Sequence, residues 1–318
     1  MNSTEKRPSV AMVTVSEDQE DQRLDNFLLG QLKGVPKSAV YRMIRKGEVR
    51  VNKGRSRPEY RLRPGDRVRV PPARTRPDAA QPFVGEALKA RLNAAILYED
   101  DGLLVLDKPS GLAVHGGSGL SLGVIEALRQ MRPGQRFLEL VHRLDRDTSG
   151  CLMVAKKRSV LKALHRDLRE GRVHKTYLAL VWGRWNGLEH RVEAPLSKQH
   201  LSSGERVVRV ASDGKPSLTV FRQVRLYTRA TLVEAEPVTG RTHQIRVHAQ
   251  YAGHPIAGDD KYLPREPAAY FEGLGLKRLF LHAARLELAA EDGVRRCFEA
   301  PLPGELAQVL GGLQTADV

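Results

Sequence analysis

The apolar positions of this chain change their period along its length, and each period predicts a different kind of element. Leu24, Phe27, Leu28 and Leu32 recur at i, i+3, i+4 and i+8, one face of a helix that Gly34 and Pro36 close. Ser38 can cap a second helix, in which Val40 and Ile44 make one face, Arg42, Arg45 and Lys46 make another, and Gly47 suits the end. The period then falls to two: Val49 and Val51 flank Arg50, and Val68 and Val70 alternate with Arg67 and Arg69. Asn52-Lys53-Gly54 and Arg63-Pro64-Gly65-Asp66 supply turn chemistry between these strands. Residues 1–15 are polar and predict a flexible N-terminus, a small α/β module follows over residues 16–75, and the aperiodic, proline-bearing stretch 76–92 predicts a linker.

A different texture begins at residue 93. Two apolar runs flank Glu99-Asp100-Asp101-Gly102 as strands flank a hairpin turn, and strand-like runs continue in YLALVWG, ATLVEAEPV and HQIRVHA. Val160, Leu161, Leu164 and Leu168 mark one clear helix. The mixture predicts an α+β fold, with residues 93–318 forming a larger, mixed, mainly antiparallel sheet domain.

Charge changes the picture by showing where a partner would sit. Lys and Arg outnumber Asp and Glu by 52 to 37, a net charge of +15, which favours a polyanionic partner. Residues 21–76 hold sixteen of those cations against five acids, so the basic character belongs to the N-terminal module. No run approaches the roughly 18 apolar residues of a spanning helix, and the opening MNSTEKRPSV lacks the apolar core of a secretory signal. The expectation is a cytoplasmic protein with no membrane partner. Cys151 and Cys297 each stand beside bulky apolar residues and predict buried, reduced thiols. Two helices feeding a small basic strand unit, with RKGEVRVNKG at the junction, resemble the S4 RNA-binding domain. Lys37, Arg42, Arg45, Lys46, Arg50 and Lys53 are the candidate RNA-binding residues of this module. A solvated surface is the plain alternative, but few acids are interspersed to neutralise these cations.

Several chemistries fail on spacing. His115-Gly116-Gly117-Ser118-Gly119 lacks the Lys-Ser/Thr ending of a phosphate loop, and His243 and His248 are five apart in a strand-like run, which does not suit zinc. No metal site is expected. The stretch VHRLDRDTSG, residues 141–150, packs two carboxylates, two guanidiniums and an imidazole between apolar runs. Read alone, it also fits a structural ion-pair cluster at a strand end.

HRLDRDTSG resembles the signature of the large-subunit type of pseudouridine synthases, and the flanking motifs follow in the family's order. Residues 106–112 (LDKPSGL), 175–180 (KTYLAL), 240–248 (GRTHQIRVH) and 279–283 (LFLHA) are similar to its other motifs, with Asp107 where an Asn is more usual. The resemblance implies a cofactor-free monomer that isomerises uridines of 23S ribosomal RNA. It makes Asp145 the carboxylate at the sugar, Arg246 its counter-cation with Arg241 as second choice, and Tyr177 the ring against the uracil. Arg143 would occupy the stack that the flipped base leaves, while His142, Thr148 and Ser149 shape the loop by hydrogen bonding. Lys108 is assigned either a phosphate contact or a structural role. A transfer RNA substrate and a non-catalytic ribosome-assembly factor stay open as alternatives.

Overall fold

The computed structural model describes residues 10–32, 34–72, 83–116, 122–200, 206–289 and 295–315, and they divide into two compact units, Met1–Phe83 and Val84–Val318. In the first, strands β1 (Ala11–Thr14), β2 (Arg50–Val51) and β3 (Arg67–Val70) form an antiparallel sheet of order β1-β3-β2 beside helices α1 (Leu24–Gln31) and α2 (Lys37–Lys46). The predicted apolar faces meet in one core of Leu24, Phe27, Leu28, Val40, Ile44, Val49, Val51, Val68 and Val70. Gly47 ends α2 with φ 71°, a left-handed conformation that a β-carbon would strain.

Three expectations change here. The N-terminus, expected to be flexible through residue 15, carries β1: Ala11 to Thr14 pair with Val70 to Arg67, and Val15 is buried. Backbone pairing holds this strand, which four residues of side-chain pattern are too few to reveal. Residues 1–9 lie outside the described set. Pro36, not Ser38, stands at the N-cap of α2, with φ −57° and its carbonyl accepting from Ala39 N. Of the expected linker, residues 76–82 lie outside the described set, whereas Glu86–Ala94 is helix α3, anchored by the fully buried Leu92.

In the second unit the remaining elements follow in order: β4 (Ile96–Glu99), β5 (Leu103–Lys108), α4 (Val124–Met131), β6 (Glu139–Leu140), β7 (Ser149–Ala155), α5 (Arg158–Arg169), β8 (Val173–Trp182), β9 (Glu189–Glu193), β10 (Leu196–His200), β11 (Arg206–Val210), β12 (Leu218–Leu226), β13 (Ala230–Pro237), α6 (Gln244–Tyr251), α7 (Arg265–Gly273), β14 (Leu281–Ala289), β15 (Arg295–Glu299) and α8 (Gly304–Gly311). Among the described residues ten strands form one sheet of order β4-β5-β7-β14-β8-β13-β12-β9, with β15 beside β14 and β6 beside β7. All its pairings are antiparallel except β7 with β14, where Ser149 and Gly150 run parallel to His282 and Ala283. Gly150 has φ 107°, and a β-carbon there would collide with the Ala283 carbonyl, so this close approach requires glycine. β10 and β11 make a separate hairpin. No described helix is long and apolar enough to cross a membrane.

The run HQIRVHA, expected as a strand, is helix α6. Residues Gln244 to Ala249 are all buried, so no polar face advertises the helical period. Cys151 is buried as expected, but Cys297 is exposed, because β15 alternates and its Phe298 takes the inward position.

Candidate active site

The loop between β6 and β7 carries Asp145 and is held by two segments remote in sequence, around Lys108 and around His282. Lys108 Nζ donates to the carbonyls of Pro109, Leu112 and Arg146 at 2.8, 2.9 and 3.0 Å. Ser110 Oγ donates to Asp147 O at 2.8 Å, and Gly111 N donates to Arg146 O at 3.0 Å. On the other side Arg278 Nη2 donates to Ser149 Oγ at 2.7 Å, and Ser149 Oγ lies 2.9 Å from His282 Nδ1. The motifs around Lys108 and His282 therefore serve to fix this loop. His142 adds an internal strut: burial, aided by the Lys175 charge, lowers its pKa to about 3, and the neutral Nε2 accepts from Met153 N at 3.1 Å.

Asp145 faces a cleft of about 550 Å³ that Tyr177, Arg241, His243 and Arg246 also line. Arg246 Nη1 lies 3.7 Å from Asp145 Oδ2, and its own side chain is 4% exposed. Two other acids orient it: Nε and Nη2 each reach Asp259 at 2.7 Å, and Nη2 reaches Asp260 Oδ1 at 3.2 Å. Burial would lower the Arg246 pKa, but the hydrogen bonds and charge of Asp259, with the charge of Asp145, raise it. Its guanidinium also lies 5.1 Å from the Tyr262 ring centre.

Tyr177 sits at the centre of β8, opposite the bulge where β14 spends Ala283 and Ala284 between the pairs His282↔Leu178 and Arg285↔Thr176. Burial, reinforced by the Asp145 charge, pushes its phenol pKa up, so the ring stays neutral. His243 completes the wall with φ 54°, a conformation uncommon outside glycine. Its Nδ1 lies 2.8 Å from Tyr262 Oη, which accepts from Val208 N at 3.0 Å, and its Nε2 lies 3.9 Å from Asp145 Oδ2. Burial lowers the His243 pKa against the opposing pull of Asp145. Gln244 secures the turn before α6, accepting from Thr239 Oγ1 at 2.7 Å and Arg241 N at 3.0 Å.

The structure thus brings Asp145, Tyr177 and Arg246 together, and the exposed Arg143 and Arg241 line the same cleft. Lys108 departs from a phosphate-contacting role: its side chain is fully buried and its three donors are spent on carbonyls, so it builds the loop. Burial lowers its pKa to about 7, while those three acceptors favour the ammonium form. In the N-terminal unit Lys37, Arg42, Arg45, Lys46, Arg50 and Lys53 are all exposed. Lys37 Nζ lies 5.9 Å from the Tyr41 ring centre, and Arg50 Nη1 donates to Lys53 O at 3.2 Å. Asp259, Asp260 and Tyr262 also belong to this site and were not among the candidates, their one sequence signal being the adjacent pair of acids in HPIAGDDKYL. His243 was legible only as a metal candidate. His248 is spent on Thr219 Oγ1 and Ala194 O, and no group of three potential metal ligands occurs among the described residues.

Chemically, the cleft offers one carboxylate with a fixed cation behind it, a neutral phenol beside it and an apolar floor. That set can act on a sugar carbon or its proton while holding a planar base. A family model described as RNA pseudouridylate synthase matches residues 102–251, and an S4 domain model matches residues 22–68. The ribosomal large subunit pseudouridine synthase C of Pasteurella multocida is 58% identical over 96% of this chain and 94% of its own length. The protein of that name from Escherichia coli K12 is 57% identical over 92% and 97%. The solved human RNA Pseudouridylate Synthase Domain Containing 4 superposes with a TM-score of 0.60 at 26% identity, covering 73% of this chain and 98% of that one.

Proposed function

The chain belongs to the RNA pseudouridylate synthase family, and from that premise we propose that it isomerises specific uridines of 23S ribosomal RNA to pseudouridine, in the cytoplasm and as a monomer. The reaction breaks the bond from ribose C1′ to N1 of the base, turns the base without releasing it, and joins C1′ to C5. N1 gains a proton and C5 loses one, so no oxidant, reductant or water is consumed and no cofactor is called for. The observation that carries the reading is the convergence of Asp145, Tyr177 and Arg246 from three distant segments on one cleft.

In this reading Asp145 acts on the ribose, as nucleophile at C1′ or base at C2′. Arg246, clamped by Asp259, keeps a positive charge beside it. Tyr177 holds the uracil through its ring face, a role that suits a phenol kept neutral by burial. Extruding the base costs a few kcal/mol, and Arg143 fills the vacated stack. The exposed cations of the S4 domain grip the RNA backbone and give affinity that falls with salt. Mapping pseudouridines in ribosomal RNA from cells with and without the protein tests the reading. The expected result is loss of defined sites in the large-subunit RNA; an unchanged map, or losses confined to transfer RNA, overturns it.

A further inference from the structure

The cleft holds more positive charge than the isomerisation uses. Its charged lining comprises Arg143, Arg169, Lys175, Arg241 and Arg246 against the single acid Asp145. Arg246 is engaged by Asp259 and Asp260, and Arg241 Nε donates to Pro216 O at 3.4 Å. Arg169 and Lys175 have no acidic or carbonyl partner among the described residues. The acids nearest in sequence to Arg169 are already taken: Arg172 Nη2 lies 2.5 Å from Asp167 Oδ1, and Arg172 also pairs with Glu170.

The two cations come from different elements yet face one space. Arg169 is the last residue of α5, where the helix dipole favours a cation. Lys175 is two residues before Tyr177 on β8, so both side chains leave the same face of the strand, about 7 Å apart along it. Lys175 is half-buried, and an ammonium partly withdrawn from water without a counter-charge is unfavourable unless a ligand supplies one. Neither residue offers an acceptor, so the complementary group is an anion with several acceptor oxygens. In an RNA substrate that group is the phosphodiester, and the step from Tyr177 to Lys175 matches the reach from a base to its own backbone.

We propose that Arg169 and Lys175 form a phosphodiester subsite that grips the RNA backbone beside the nucleotide whose base enters the cleft. The subsite rests on the RNA-modifying reading above and adds a positioning contact to it. Held there, the sugar cannot follow the base as it turns, which keeps C1′ over Asp145.

The test is a coupling experiment on the full-length chain in its Asp145→Asn form, so that binding is read without turnover. The probe is a stem–loop of large-subunit ribosomal RNA bound by the protein, in which each loop linkage is replaced in turn by an uncharged methylphosphonate. Arg169→Gln and Lys175→Gln should each weaken binding about three- to tenfold and lower the log-log salt slope by about 0.7. One neutral linkage should weaken the parent to a similar degree and the double variant less than twofold. Equal losses in parent and double variant at every linkage overturn the subsite. The methylphosphonate scan of the parent needs no further substitution, so an ill-folded variant does not decide the matter: a parent indifferent to every neutral linkage also overturns it. If coupling is found but the unsubstituted chain forms no pseudouridine, the functional reading fails while the subsite stands.

Discussion

At the scale of single residues the proposed reaction assigns chemistry to some side chains of the cleft and support to others. Asp145→Asn should abolish pseudouridine formation and leave RNA affinity within a few-fold, read by nucleoside analysis and equilibrium binding on one RNA fragment; turnover near that of the unaltered chain would remove Asp145 from the chemistry. Asp259→Asn tests the support behind it. The substitution removes the charge that fixes Arg246, so turnover at saturating RNA should fall on the order of 10²-fold, while affinity changes far less. Lys108→Met probes the opposite case. It strands three carbonyls in a dry site and should lower stability by about 3 kcal/mol in urea unfolding, with no change in the salt slope of RNA binding. Asp145, Tyr177 and Arg246 were legible because the resemblance names them; Asp259 and Tyr262 were not, since their value lies in contacts with Arg246, 13 or more residues away in sequence.

At the scale of elements, legibility followed amphipathicity. α1, α2 and α5 each keep one face wet, and their periods read directly. α6 is buried all round, so its period vanished into a run that looked like a strand. α2 carries its own prediction: Arg42→Ala with Lys46→Ala should lower the log-log salt slope of RNA binding by about 1.4, measured between two salt concentrations. The start of α1 supplies a pH test. The Arg23 hydrogen bond, against the opposing effect of burial and with help from Tyr41, lowers the Asp25 pKa to about 2. A lowered carboxylate pKa gives stability that is complete above the ordinary value near 3.8 and is lost as pH falls through about 2. The stability gap between the unaltered chain and Asp25→Asn should therefore be constant at neutral pH and close on acidification from about pH 4 to 2. A gap that widens there would refute the assignment.

For the whole molecule, the uneven charge and the change of period predict two modules with a linker up to residue 92, whereas the two compact units divide at Phe83 and Val84 and the helix Glu86–Ala94 opens the second. The order of strands was not legible, because neighbouring strands β7 and β14 are separated by more than a hundred residues and no local pattern encodes their meeting. That meeting has a kinetic corollary. The half of the sheet built from β4, β5 and β7 joins the half built from β8, β9, β12, β13 and β14 through a parallel ladder of two residue pairs, next to the loop that bears Asp145. Such a ladder closes a long loop of chain for little local gain, so it should form late on the folding path. During refolding from urea, secondary structure should return before catalytic competence, with the unfinished enzyme already able to hold RNA through its first module.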